Sequence, residues 1–244
     1  MKNGLRKILI FIIMITCGFW YMTEDAGIEL SGINIKKSQT YLNKKYSFLN
    51  EEDKAANGNN VNVSTELTLV NGEYGLDKDY KPKKLTVPNI SFTSGVNQEE
   101  KHVAGIIVKP LEDLVNTAKE EGVILLGNSG YRSYKSQKST YSSRVKSEGK
   151  KLADAYVAKP GFSEHQTGLC IDITNKDKYF VKGTKEADWL AENCYKFGFI
   201  IRYPYGKKNI TGIEYEPWHI RYVGKEAAKY IYDNGITLEE YLGK

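Results

Sequence analysis

Two short segments in the C-terminal half of the chain, SEHQTGLCID and EYEPWHIRY, place the strongest constraint on its fold. The whole chain contains three histidines, and two of them, His165 and His219, lie in these segments beside Asp172 and Glu216. A zinc ion that hydrolyses a bond needs three nitrogen or carboxylate ligands and an open position for water. We therefore expect a fold that joins the two segments, so that His165, Asp172 and His219 bind zinc and Glu216 remains as a base.

Both segments are predicted to form strands rather than helices. In GLCIDIT, the branched residues and the glycine predict a turn into a short buried strand, with His165 on the preceding loop and Asp172 on the strand. In EPWHIRYV, Pro217 is poorly tolerated inside a helix, and aromatic and branched residues follow it. In an HExxH helix, by contrast, the two histidines lie one turn apart on one face. We therefore expect a metal site that is built on a sheet.

The remaining pattern predicts helices before and after a set of short strands. Helices are expected from Pro110, over 134–158 and 185–196, and at 225–234 and 238–242; further strands are expected at 123–126, 199–203 and 218–223. This order is typical of an α+β fold. We predict a single compact domain with a small, mainly antiparallel sheet that carries the zinc site and is flanked by helices.

The spaced motifs resemble a known family. The matching residues are Ser163, His165, Gly168, Cys170 and Asp172, followed by Glu216, Pro217, Trp218 and His219. Together they resemble the signature of VanY-type D-alanyl-D-alanine carboxypeptidases, zinc enzymes of bacterial cell-wall metabolism. The segment LTLVNGEYGLDKDYKPKKLTVP resembles the start of that domain, SGYRSYKSQ its substrate-arginine motif, and WLAENCYKFGFIIRYP its helix and following strand. The likeness spans residues 67–242. One departure is Cys170, where the family usually has a small alanine.

The resemblance implies a role for each metal-site residue. His165, Asp172 and His219 are expected to bind zinc, which acts as a Lewis acid and lowers the pKa of a bound water from ~15.7 toward ~7. Glu216 is expected to take the proton from that water and pass it to the departing amine. Glu214 is a competitor for this role, but it lacks the Glu-x-x-His spacing and is predicted to be solvated or structural.

Three further residues are implied to contact the substrate, and Trp218, which flanks His219, is a fourth candidate. Arg132 is expected to approach the scissile carbonyl, because a guanidinium keeps its charge and offers several donors to an oxyanion. Ser163 and Gln137 are expected to bind the substrate backbone or terminal carboxylate, although an ordinary structural hydrogen bond is a close alternative for both. Trp218 is expected to form a wall of the substrate groove, with packing in the core as its alternative.

Three other residues carry weaker signals. Cys170 lies two residues before Asp172 and therefore on the same strand face, where a thiolate could bind zinc. Packing as a small apolar residue is the favoured interpretation. His102 is predicted to be an ordinary surface or helix histidine. Cys170 and Cys194 could form at most one disulfide, and the sequence leaves that pairing open.

The N-terminal sequence predicts the cellular location of the protein. Residues 1–22 combine basic residues with an apolar run and are predicted to be a signal peptide or a signal anchor, in preference to lipidation at Cys17. Residues 23–66 are predicted to be a flexible extracytoplasmic tether, and residues 67–244 the catalytic domain. The formal charge of +5 suits an anionic cell envelope and is too modest to indicate nucleic acid binding. We expect a monomer that is anchored to the membrane or secreted to the cell wall.

The expected activity is removal of the terminal D-alanine from peptidoglycan stem pentapeptides. L,D-carboxypeptidase action on tetrapeptide stems is the first alternative, because related proteins share the same residues. Cleavage inside a cross-bridge and a non-catalytic wall-binding module are two further alternatives. The presence of three ligands and a base argues against the binding module.

Overall fold

The computed structural model describes residues 66–244. The helices in this range are α1 (Val108–Glu120), α2 (Tyr134–Glu148), α3 (Lys150–Tyr156), α4 (Lys185–Asn193), α5 (Lys208–Thr211), α6 (Lys225–Asn234) and α7 (Leu238–Leu242). The strands are β1 (Leu85–Thr86), β2 (Val103–Ala104), β3 (Leu126–Ser129), β4 (Cys170–Thr174), β5 (Phe199–Tyr203) and β6 (Glu216–Tyr222). Short 3₁₀ helices cover Gly105–Ile107, Glu164–Thr167 and Cys194–Phe197.

The main sheet has four antiparallel strands in the order β3-β4-β6-β5, and β1 pairs with β2 in a separate small ladder. Helices surround the sheet, so the predicted α+β fold with a mainly antiparallel sheet is confirmed. The pairing of β4 with β6 sets Asp172 directly opposite His219. Residues that face each other across an antiparallel pair have Cβ atoms ~4.5–5.5 Å apart. The sheet thus joins the two segments that are 47 residues apart in the chain.

The hydrophobic core lies between the sheet and helices α1 and α4. Helix α1 buries Leu111, Leu114, Val115 and Ala118, which recur every three or four residues and therefore form one face. They pack in one cluster with Ile171, Ile173, Leu190, Phe199 and Ile220 from the sheet and α4. This packing fixes one face of β4 and β6. The opposite face of the same strands is left free to carry the polar groups of the site.

Three element boundaries differ from the sequence expectation. The helix predicted over 134–158 is two helices, because Gly149 adopts a positive φ of 82° that ends α2. The strand predicted from residue 123 begins at Leu126, since the N–H of Val123 still donates to Ala118 and closes the end of α1. The last turn before Gly198 is a 3₁₀ helix rather than a continuation of α4.

Several expectations concern the N-terminal part or the cysteines. The predicted signal segment 1–22 and nearly all of the tether 23–66 lie outside the described residues. No helix within residues 66–244 combines the length and apolar character that crossing a membrane requires. Cys170 and Cys194 are both buried and both free, so they do not pair in this structure.

Candidate active site

The pairing of β4 with β6, together with the 3₁₀ helix before β4, gathers three candidate ligands at one point. Asp172 Oδ1 lies 2.9 Å from His219 Nδ1, and Asp172 Oδ2 lies 3.6 Å from His165 Nε2. The two imidazole rings meet edge to face, with centroids 5.0 Å apart. All three side chains line a groove of about 950 Å³. The structure therefore brings together the three residues that the sequence predicted as ligands.

The orientation of His165 is fixed by the backbone. Its Nδ1 lies 2.7 Å from the carbonyl oxygen of Gly130, which can only accept a hydrogen bond, so Nδ1 carries the hydrogen. The N–H of Arg132 in turn donates to the carbonyl oxygen of His165. These two bonds leave Nε2 as the free acceptor nitrogen that faces Asp172. A histidine ligand held through its other nitrogen in this way is the usual arrangement at metal sites.

His219 presents the opposite nitrogen. Its Nδ1 faces Asp172, whereas its Nε2 lies 3.4 Å from Glu164 Oε2. The carboxylates of Glu164 and Asp172 can only accept, so both ring nitrogens carry hydrogen here. Burial lowers the pKa of His219, but Cys170, Asp172 and Glu164 raise it well above its ordinary value, and a metal ion at Nδ1 would replace the hydrogen on that nitrogen. The arrangement is a carboxylate–histidine pair behind the site, which fixes the orientation of the ring.

The charges of the candidate ligands suit a cation. Burial by itself would raise the pKa of Asp172, but His165 and His219 lower it to about 2, so Asp172 is a carboxylate at neutral pH. Burial, assisted by the charge of Arg132, lowers the pKa of His165 to about 3, so this ring is neutral. His165 and Asp172 are therefore in the forms that bind a metal, whereas His219, whose pKa is raised, would release its Nδ1 proton on binding one.

The separations also suit zinc. Tetrahedral zinc with bonds of ~2.0–2.1 Å holds its ligand atoms ~3.3 Å apart. The separations of 2.9 and 3.6 Å around Asp172 lie on either side of this value and involve its two different oxygens, Oδ1 and Oδ2. Cys170 is an alternative third donor, because His165, Cys170 and His219 have ligand atoms within 4.8 Å of one another. The residues present therefore fit a zinc ion in either combination.

Glu216 lies at the start of β6, beside the candidate ligands. Its Oε2 is 3.9 Å from His219 Nδ1, and its side chain is 7% exposed at the groove. Burial raises the pKa of Glu216 to about 8, which makes the carboxyl group a proton acceptor and donor near neutral pH. Glu214 instead forms an exposed ion pair with Lys208 outside this groove.

Arg132 follows β3 and is held at three of its nitrogens. Nε donates to Glu100 at 3.0 Å, one terminal nitrogen donates to Gln137 at 2.8 Å, and the other donates to Ser129 at 2.7 Å. A guanidinium has five N–H donors, so two remain for a ligand. Gln137 is buried, and its amide also donates to the carbonyl oxygen of Ala158. Its side chain therefore supports Arg132 as well as lining the groove.

The other predicted residues are placed as follows. Ser163 is buried and Trp218 is half-buried, and both line the groove. Trp218 also packs against the hydrophobic core, so this residue is both a groove residue and a partly buried core residue. His102 is not among the groove residues, and its Nδ1 lies 2.7 Å from the carbonyl oxygen of Gln98.

A buried ionic network behind His219 was missed from the sequence. Glu164 Oε1 accepts from Arg202 at 2.7 Å and from Arg221 at 2.6 Å, and Arg202 also donates to both carboxylate oxygens of Glu239 in α7. Both arginines are completely buried. The available signal was an arginine inside each of two apolar strands, FIIRY and HIRYV, because a charge there needs a buried partner.

Comparison with known proteins agrees with this architecture. The family profile described as VanY, D-alanyl-D-alanine carboxypeptidase, matches residues 100–225. The chain is 39% identical over 228 residues to the putative carboxypeptidase YodJ of Bacillus subtilis (strain 168), covering 91% of this chain and 83% of that protein.

Two solved structures are also similar. The LdcB LD-carboxypeptidase matches with 43% identity and a TM-score of 0.68, covering 73% of this chain and 86% of that one. A vancomycin-resistance D,D-pentapeptidase VanY, solved in complex with Zn(II), matches with 39% identity and a TM-score of 0.61, covering 72% and 98%. The family profile spans more than half of the chain. The chain therefore belongs to the VanY carboxypeptidase family.

Proposed function

We propose that this protein is a zinc-dependent carboxypeptidase that removes the C-terminal D-alanine from peptidoglycan stem pentapeptides. The observation that carries the proposal is the convergence of His165, Asp172 and His219 with Glu216 and Arg132 in one groove. Membership of the VanY family supports the substrate class. The extracytoplasmic location, the membrane attachment and the monomeric state remain predictions.

The proposed ligands are His165, Asp172 and His219 rather than the set that includes Cys170. Burial raises the pKa of the Cys170 thiol, so this group would have to release a proton to bind zinc, whereas Asp172 already carries its charge. Asp172 is ionised and its side chain is 15% exposed at the groove, but Cys170 is completely buried. Asp172 is therefore the donor that both carries charge and lies where the substrate arrives.

The side chains of the groove account for the remaining steps. A zinc ion bound there supplies Lewis-acid chemistry and makes water more acidic. Glu216 takes a proton from the water molecule while the water oxygen attacks the scissile carbonyl carbon. The two uncommitted donors of Arg132 stabilise the charge that develops on the carbonyl oxygen. When the C–N bond breaks, Glu216 passes the proton to the amine of the released alanine.

Replacing Cys170 by alanine is expected to leave zinc affinity and kcat within about twofold of the wild type, because the thiol packs rather than binds metal. Replacing Asp172 by asparagine, in contrast, should weaken zinc binding strongly, since the anionic ligand is lost. Zinc titration by calorimetry checks both variants. A Cys170→Ala protein that no longer binds zinc would transfer the ligand role from Asp172 to Cys170.

The pH dependence of kcat/KM should show an acidic limb from Glu216. Only the carboxylate form accepts a proton, so the rate is expected to fall as the pH decreases through the pKa of Glu216. Burial raises that pKa to about 8, and a nearby cation lowers it toward the ordinary ~4.3, so the midpoint should lie between these values. Measurement of alanine release between pH 4 and 9 checks this. A rate that is flat over this range would exclude Glu216 as the base.

One observation favours L,D-carboxypeptidase action as a second candidate. The LdcB LD-carboxypeptidase has a higher identity and TM-score to this chain than the D,D-pentapeptidase VanY. Both activities remove a C-terminal D-alanine, and they differ in the configuration of the residue that precedes it. The choice therefore depends on how the groove holds that residue.

The experiment that separates the candidates uses purified muropeptides. The zinc-loaded protein is incubated with stems that end in a pentapeptide or in a tetrapeptide, and loss of alanine is followed by mass spectrometry. Trimming of the pentapeptide supports the D,D proposal, and trimming of the tetrapeptide alone supports the L,D candidate. A folded, zinc-loaded protein that binds wall material and cleaves neither stem would instead support a binding module.

A further inference from the structure

Helix α2 has an unusual relation to the rest of the fold. Among its fifteen residues, Gln137 is the only buried one, so the helix contributes almost nothing to the hydrophobic core. It carries no apolar stripe, and the side chains on one of its faces line the groove instead. Gln137, Thr140, Arg144 and Ser147 recur every three or four residues, Ser143 and Glu148 lie beside them, and all six are polar. A helix face that is polar and turned toward a groove is suited to contact a polar ligand.

Arg144 is the one full positive charge on this face. Its guanidinium pairs with Glu148 one turn further along, at 2.7 Å, and the two side chains are 44% and 31% exposed. An exposed pair of this kind contributes little stability, because water solvates both partners well. Arg144 can therefore exchange Glu148 for another carboxylate at small cost. The charge of Arg144 also acts on Glu216. Burial raises the pKa of Glu216, and Arg144 is among the groups that lower it.

The spacing along α2 gives the separation between Gln137 and Arg144. Gln137 holds Arg132, and Arg144 is seven residues, or two turns, further along the same face. Seven residues of helix correspond to ~10 Å, and an extended peptide covers ~10 Å in three residues. A carboxypeptidase substrate has a single residue on the leaving side of the scissile bond. A side chain at this spacing is therefore suited to contact the longer part of the peptide, which precedes the bond.

We propose that Arg144 is a specificity-determining residue that binds a free carboxylate about three residues before the scissile bond. The inference rests on the proposed carboxypeptidase function and adds an acidic stem peptide as its preferred substrate. Two groups could supply this carboxylate: the α-carboxylate of the γ-linked glutamate, and the side-chain carboxylate of a diaminopimelate residue. The hydroxyls of Ser143 and Ser147 flank Arg144 on the same helix face and can donate to the same anion.

The test compares peptides that differ by one carboxylate. Four pentapeptide stems are needed, with the glutamate and the diaminopimelate each as free acid or as amide. Arg144→Gln is expected to raise KM about tenfold for stems with the recognised carboxylate and to leave kcat unchanged. Wild-type protein should show the same tenfold rise when that group is amidated, and the variant should then be insensitive to amidation. Arg144→Lys should recover part of the affinity, because it restores charge without the planar fork.

The matched control is Lys146→Gln, which removes one positive charge from an exposed position of α2 outside the groove. This variant should bind all four peptides like the wild type. Peptide affinities are also measured by calorimetry in a Glu216→Gln background, which does not require turnover. Equal changes for acid and amide stems in Arg144→Gln, or no change for any stem, would overturn the role of Arg144. Failure of the wild type to hydrolyse any stem would instead count against the carboxypeptidase function, while the calorimetric comparison would still decide the inference.

Discussion

Replacing Glu216 by glutamine is expected to lower kcat about a thousandfold, within the ~10²–10⁴ range for loss of a general base. Glutamine has nearly the same shape but cannot accept a proton from water or deliver one to the amine. The three proposed ligands are untouched, so zinc affinity should change by less than about threefold. Alanine release under saturating stem peptide measures the first quantity, and zinc titration measures the second.

The melting temperature of Glu216→Gln distinguishes a catalytic role of Glu216 from a structural one. Burial raises the pKa of Glu216 to about 8, which means that the ionised form is disfavoured in the folded protein. A neutral amide avoids this penalty, so Glu216→Gln should unfold at the same temperature as the wild type or higher. A loss of activity that accompanied a lower melting temperature would point to a structural role instead.

Glu214 provides the matched control for this substitution. It lies two residues earlier and pairs with Lys208 at the surface, with a side chain that is 37% exposed. Glu214→Gln should leave kcat and KM within about twofold of the wild type. If Glu214→Gln abolished hydrolysis and Glu216→Gln did not, the two glutamates would have to exchange their assigned roles.

Replacing Glu164 by glutamine is expected to destabilise the fold by about 3–5 kcal/mol, the range for breaking a buried ion pair. Its carboxylate accepts from both Arg202 and Arg221, and all three side chains are completely buried. Without it, two guanidiniums lose a shared counter-charge in a region that water does not reach. For a domain of this size, the melting temperature should fall by about 10 °C.

The sign of the pH dependence follows from the pKa of Glu164. Burial alone would raise this pKa, but Arg202 and Arg221 hold it well below the ordinary value. The stabilisation is therefore complete above pH ~4.3, the value for an unfolded glutamate, and is lost as the pH falls further. The difference in melting temperature between wild type and Glu164→Gln should narrow below pH ~4. A difference that stayed constant down to pH 2 would contradict a charge-based role.

Glu164 also connects the network to the metal site. Its second oxygen lies 3.4 Å from His219 Nε2, and loss of such a supporting carboxylate typically weakens metal binding about 10–100-fold. Asp233→Asn, which breaks an exposed pair with Lys229 on α6, is the control. It should alter neither the melting temperature nor zinc affinity. Equal behaviour of Glu164→Gln and this control would exclude the network from both roles.

The sequence predicted the type of sheet, and the structure places the three ligand candidates close together. His165 and His219 stand out because the chain has only three histidines, and Asp172 stands out through its spacing from His165 in a strand-like segment. The alternation of each strand predicts which residues share a face, but not which strand lies beside it. The register that sets Asp172 opposite His219 is a tertiary property, because it depends on packing of β4 and β6 against α1 and α4.

The contacts of the residues that support the site could be predicted from the sequence only in part. Arg202 and Arg221 could be recognised as buried charges from their strands, but their partner Glu164 lies 38 and 57 residues away. Gln137 was expected at the substrate, and its position in the groove agrees with that. Its contact with Arg132 depends on the turn between β3 and α2, which no local pattern specifies.

The most direct test of the central claim is the release of D-alanine from a stem pentapeptide by chelator-stripped protein as zinc is restored. The account predicts that stripped protein releases none. Release should return in proportion to added zinc and saturate at about one ion per chain, and Asp172→Asn should not recover under the same conditions. Full activity in protein shown to contain no metal, or complete recovery in the Asp172 variant, would contradict a zinc site formed by His165, Asp172 and His219.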